Sequence, residues 1–140
     1  MYYQCRYFKG YEIVDKDTFI MLGNQVWMLF HPEALISLDN IRAWFDRPVI
    51  VNNWASGGDL QFRGFRPSDC TVGAKFSQHR LGNAFDLDVQ GIAADEVRKV
   101  ILDNKDNDIR FQYITCLETD ISWVHFDMRN IPNRILLVRP

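Results

Sequence analysis

Apolar residues recur along the chain at two different periods, and the change from one to the other marks out its elements. Leu35, Leu38, Ile41 and Phe45 repeat at three- and four-residue steps, with Arg42 alongside, which is the stripe of a helix with one buried face. Pro32 stands where a first helical residue would, Glu33 suits the positive amino end, and Asp46-Arg47-Pro48 stops the run. A shorter helix is predicted from about Lys16 to Leu22, ending at Gly23. A third runs from about Ala93 to Asp103, with Val97, Val100 and Ile101 on one face and Asp95-Glu96 in its first turn. Phe85 to Val89 alternates at a period of two and reads as a strand, and the β-branched run Val49 to Asn53 reads as a central one. Phe111 to Leu117, Trp123 to Met128 and Ile135 to Val138 are further strand candidates. Between Trp54 and Gln78 lies a long aperiodic segment with Gly57, Gly58, Gly64, Pro67 and Gly73. A loop of that length in a compact domain frames a site. Helices come first and an antiparallel-looking strand set last, so the expected class is α+β, with an antiparallel sheet packed against helices.

At 140 residues the chain has the size of one domain with a proper core, and residues 1–140 are read as such. Apolar residues make up 47% and charged residues 24%, far from the composition of disordered chains. Sixteen Lys plus Arg against eighteen Asp plus Glu leave a net charge of −2, so no positive field exists to hold a nucleic-acid backbone. Cys5, Cys70 and Cys116 contain no C-x-x-C pair, which fits neither a disulfide-stapled scaffold nor a cysteine zinc site, and reduced, buried thiols are expected. No run approaches a membrane span, and the amino terminus lacks the basic and apolar regions of an export signal.

The residues that carry chemistry lie in Ser77 to Asp86 and in Trp123 to Asp127. A catalytic zinc takes three protein ligands from imidazole or carboxylate and keeps a place for water. His79, Asp86 and His125 are such a set. The first and second converge if the chain turns at Gly82 and then enters the strand around Asp86, since glycine tolerates backbone angles that other residues resist. Trp123, His125 and Asp127 alternate on one strand and so share a face. The competing reading of each histidine is an ordinary core or surface group, and His31, beside Pro32 at a helix start, is given that role.

The string S-x-H-x-x-G-x-A-x-D, present as Ser77, His79, Gly82, Ala84 and Asp86, followed by W-x-H-x-D at Trp123, His125 and Asp127, resembles the zinc D-alanyl-D-alanine peptidases. These share the Hedgehog/DD-peptidase fold and include peptidoglycan carboxypeptidases, dipeptidases and the endopeptidases of bacterial and phage lysins. Gly64-Phe65-Arg66 looks like the family's glycine-aromatic-arginine segment, and the resemblance extends from Ile50 to Arg129. It implies that His79, Asp86 and His125 bind zinc, which would polarise the scissile carbonyl and activate water. Arg66 would face a substrate carbonyl or carboxylate, the alternative being a surface salt bridge. Trp123 would join the substrate pocket. Ser77 would hydrogen-bond substrate or hold the turn.

One departure stands out. Many relatives place a glutamate three residues before the last zinc histidine as general base, and here that position is Ser122. Serine cannot hold the proton. Glu118 and Asp120 are the nearest upstream carboxylates, and Glu118 is preferred because it ends an apolar strand run that would fix its position. Asp127 is a further candidate, with an orienting role toward a ligand imidazole suiting it at least as well. The function implied is a zinc peptidase cutting a bond to a D-amino acid in a peptidoglycan stem peptide. The alternative is a cell-wall-binding or phage structural protein that keeps the fold without chemistry. With no export signal, the expected route to the wall is a lysis system or incorporation in a virion.

Overall fold

A computed structural model describes residues 2–129 and 134–140. Helix α1 spans Lys16–Leu22, capped by Asp15, whose carboxylate accepts from the Thr18 backbone N–H. Helix α2 spans Pro32–Phe45, with Pro32 at its first position and His31 as its cap, Nδ1 accepting from Glu33 N–H. Both match the ranges expected from the sequence. Helix α2 buries Leu35, Leu38 and Ile41, and its buried Asp39 accepts from Arg6 N–H, Tyr7 N–H and the Tyr3 hydroxyl, which ties the amino-terminal segment to the core. Helix α3 spans Ala94–Asn104.

The strands are β1 (Val49–Ile50), β2 (Ala84–Val89), β3 (Cys116–Glu118), β4 (Val124–Asp127) and β5 (Leu136–Val138), arranged in one sheet in the order β1-β2-β4-β3-β5. The class is α+β, as expected. Three expectations about the sheet are corrected. Val49 to Asn53 is not a central strand: β1 is two residues long and sits at an edge. Its continuation leaves the sheet because the Asn52 side chain bonds the Val14 carbonyl and the Arg63 N–H, and Asn53 accepts from Leu60 N–H. Phe111 to Leu117 is not one strand. Asp108 accepts from Arg110 N–H and starts a 3-10 turn over Ile109–Phe111, leaving only Cys116–Glu118 in the ladder. Finally, the sheet is mixed, since β5 runs parallel to β3. Both edges of β4 are taken, by β2 and β3, so a strand reversing after β4 joins the outer edge of β3, where that direction is parallel.

Alternation divides the central strands into two faces. Phe85, Leu87, Leu117, Val124 and Phe126 are fully or almost fully buried in the core, and Phe85 stacks on Phe30 at 5.1 Å. Helices α2 and α3 lie against β2, and α3 also against β4. The opposite face carries Asp86, His125, Asp127 and Glu118. Cys5, Cys70 and Cys116 are free and buried, as expected. Among the described residues no helix is long and apolar enough to cross a membrane.

Candidate metal centre

Register builds the site. Asp86 on β2 pairs directly across from His125 on β4, so their side chains emerge side by side on the face away from the core. On the other flank Cys116 pairs with Asp127 and Leu117 with Phe126, and continuing that register sets Glu118 opposite His125. His79 arrives from outside the sheet, on a 3-10 turn over Gln78–Leu81. That turn starts at Ser77, whose hydroxyl accepts from His79 N–H at 3.1 Å, and ends at Gly82 with a φ of 71°. A Cβ at Gly82 would also stand 2.1 Å from the Leu29 carbonyl oxygen, so only glycine permits the reversal into β2.

His79, Asp86 and His125 are 2%, 5% and 4% exposed, and one donor atom from each lies within 4.8 Å of the others. Asp86 Oδ1 is 3.3 Å from His79 Nε2 and 2.8 Å from His125 Nδ1. Neighbouring ligands on a tetrahedral ion with bonds of ~2.0–2.1 Å stand roughly 3.4 Å apart, so the set fits a single ion with small adjustment. The distal nitrogens are also spoken for. His79 Nδ1 donates to the Gly64 carbonyl at 2.8 Å, and His125 Nε2 donates to Asp127 Oδ2 at 2.8 Å. Each bond fixes a tautomer that leaves the inward nitrogen free to ligate. The residues present can therefore hold a metal ion.

Without an ion, a proton on His125 Nδ1 faces the Asp86 carboxylate in its place, and a metal must displace it. Burial alone would raise the Asp86 carboxyl, but hydrogen bonds from His125 and His79 outweigh it and hold the group well below the usual carboxylate range. Burial would likewise lower the His125 imidazolium, yet its bonds to Asp127 and Asp86 and the charges of Asp86 and Glu118 raise it to about 9. Asp127 is fully buried and kept ionised, against burial, by His125 and by Arg129, which reaches it through its backbone N–H, Nε and Nη2.

The other residues singled out in the sequence divide. Glu118 Oε1 lies 3.3 Å from His125 Nδ1, at the ligand cluster. Arg66 joins it too, with Nη2 3.3 Å from Asp86 Oδ2 and Nε donating to the Phe62 carbonyl. Trp123 lies just before β4, 37% exposed, and lines the cleft of about 540 Å³ that holds the cluster. Ser77 lines the same cleft but has its hydroxyl in the turn-holding bond. Asp120 is not brought in. It sits at a positive φ of 62° after β3, its carboxylate 62% exposed and paired with Arg139 at 2.9 Å.

Three supports escaped sequence reasoning. Arg129 follows Asp127 by two residues and so shares its side of the chain, a signal that was readable. Gly64 acts through its carbonyl, which no side chain advertises. A Cβ there would stand 2.0 Å from the Ile13 carbonyl oxygen, so glycine lets the loop approach closely enough to meet His79. Arg80 donates to the Pro67, Ser68 and Cys70 carbonyls and so ties the loop beyond Arg66 to the His79 turn. No protein-family model, curated protein or solved structure matches the chain.

Proposed function

We propose that the protein is a zinc-dependent peptidase of Hedgehog/DD-peptidase type that hydrolyses a bond to a D-amino acid in peptidoglycan. The observation that supports this reading above all is the convergence of His79, Asp86 and His125 with Glu118 and Arg66 in one cleft. Two imidazoles and one carboxylate form a donor set that suits zinc, and zinc held there supplies a Lewis acid and lowers the pKa of a water toward neutrality.

Every further role falls to the chain itself. Arg66, anchored at Nε by the Phe62 carbonyl and at Nη2 by Asp86, turns its remaining N–H groups to the substrate carbonyl and holds it beside the cluster. Glu118 Oε1 accepts the proton of the attacking water and returns it to the departing amine nitrogen, the task that Ser122 cannot perform. Its place on β3 serves geometry better than a loop would, because the ladder to β4 fixes the carboxylate relative to His125. Asp127, itself clamped by Arg129, keeps the His125 proton on Nε2. Trp123 and the loop carrying Arg66 wall the cleft.

The test is incubation of the zinc-loaded protein with purified peptidoglycan and with synthetic stem pentapeptide, followed by chromatography of released fragments. Cleavage that is abolished in His79→Ala supports the reading. Absence of cleavage on both substrates refutes it and leaves the domain as a wall-binding or structural one.

A further inference from the structure

A second cavity, of about 430 Å³, adjoins the metal cleft across the shared residues Arg66, Asp86 and Trp123. Its apolar wall includes Leu60, Phe62 and Val72, and its polar end is an ion pair, Arg63 Nη1 to Asp88 Oδ2 at 2.9 Å. The Arg63 side chain is 12% exposed and that of Asp88 51%. A guanidinium has five donors, and among the described residues the Arg63 side chain bonds Asp88 alone, through Nη1. Position is set by the backbone: Arg63 N–H donates to Asn52 Oδ1, and its carbonyl accepts from the N–H of Asp86, a residue of the metal cluster. Asp88 follows Asp86 on the same face of β2. The cavity thus presents guanidinium donors and a carboxylate side by side, with Asp59 adding a second carboxylate. A bare anion would meet Asp88 and Asp59, and a bare cation would meet Arg63. A group bearing both charges on one carbon satisfies each partner.

We propose that this cavity takes the zwitterionic end of a substrate side chain, with Arg63 binding its carboxylate and Asp88 its ammonium. The inference rests on the peptidoglycan reading, in which the stem residue preceding the D-alanines is a diamino acid. meso-Diaminopimelate carries an ammonium and a carboxylate on its terminal carbon, whereas lysine has the ammonium alone. Arg63 and Asp88 then set specificity for the first over the second, and neither takes part in bond cleavage.

The experiment measures calorimetric binding of two tripeptides, L-Ala-γ-D-Glu-meso-diaminopimelate and L-Ala-γ-D-Glu-L-Lys, to the zinc-loaded protein. Neither has a bond to D-alanine, and chromatography of each sample after titration checks that the bond to D-glutamate is intact, so binding is read apart from turnover. The expected result is at least tenfold tighter binding of the diaminopimelate peptide, a preference that falls to within twofold in Arg63→Gln. In Asp88→Asn, a half-exposed position that tolerates change, both peptides weaken together because both carry the ammonium. Equal binding of the two peptides, binding of neither, or a preference that survives Arg63→Gln overturns the proposal. Cleavage of the corresponding pentapeptides is scored separately. Preference without cleavage refutes the peptidase reading and leaves this pocket standing, while cleavage without preference does the reverse.

Discussion

Asp127 touches no substrate in this account, yet its replacement by asparagine tests the site closely. The carboxylate is fully buried, and both its oxygens accept: Oδ1 from Arg129 N–H and Nε, Oδ2 from Arg129 Nη2 and His125 Nε2. An amide has one acceptor. If its NH2 group replaces Oδ2, it faces the His125 N–H, driving that proton to Nδ1, the nitrogen that must be bare to ligate. If it replaces Oδ1, it faces two Arg129 donors and leaves His125 without the negative charge that strengthens it as a ligand. Either orientation costs about 1 to 3 kcal/mol in unpaired donors, and loss of such a support weakens metal binding about 10- to 100-fold, or roughly 1.4 to 2.7 kcal/mol. The assay is a competitive titration of zinc against a chromophoric chelator, with the near-ultraviolet spectrum as a check on packing. Affinity within twofold of the parent in a folded Asp127→Asn protein would refute the tautomer argument.

Other perturbations separate the remaining roles. Glu118→Gln should keep zinc and lose turnover by about 10²- to 10⁴-fold, whereas Asp120→Asn, at a solvent-exposed pair with Arg139, should leave the rate of peptidoglycan cleavage unchanged; equal losses in both would remove Glu118 from its role. Gly64→Ala drives a Cβ to 2.0 Å from the Ile13 carbonyl and moves the carbonyl that holds His79. It should cost at least about 2 kcal/mol in urea unfolding and weaken zinc binding as well, and parent-like stability would contradict the packing described. Metal affinity should rise with pH, because His125 is raised to about 9 and zinc must displace its Nδ1 proton. Between pH 6.5 and about 8 the slope approaches tenfold per unit, and it flattens as pH rises through about 9. The metal-free protein should behave oppositely: a raised imidazolium stabilises it fully below the unfolded value of ~6.5, and that stability is lost as pH rises through about 9. Urea midpoints with and without zinc across this range check both signs.

What could be read in the sequence follows the range of the interactions involved. Helices α1 and α2 were legible to the residue because their ends are set locally, by Asp15 and Gly23, and by Pro32 and the Asp46-Arg47-Pro48 stop. The grouping of His79, Asp86 and His125 was legible because their residue types suit a metal, the turn at Gly82 lets the first two converge, and the string around them resembles a zinc-peptidase pattern. The sheet order was not, since the edge position of β1 depends on Asn52 and Asn53 side chains finding Val14, Arg63 and Leu60. The preference for Glu118 over Asp120 was legible from the apolar run that Glu118 ends, but what it would face was not. Both are carboxylates near one strand end, and only pairing of β3 with β4 sets Glu118 across from His125 while the chain at Asp120 turns outward to Arg139.

The central claim is that His79, Asp86 and His125 together hold one metal ion. Its most direct measurement is zinc stoichiometry by mass spectrometry of the native protein beside His79→Ala, Asp86→Ala and His125→Ala. One zinc per chain is expected in the parent and less than a tenth of that in each variant. A parent that binds no zinc, or three variants that all retain it, would contradict the account.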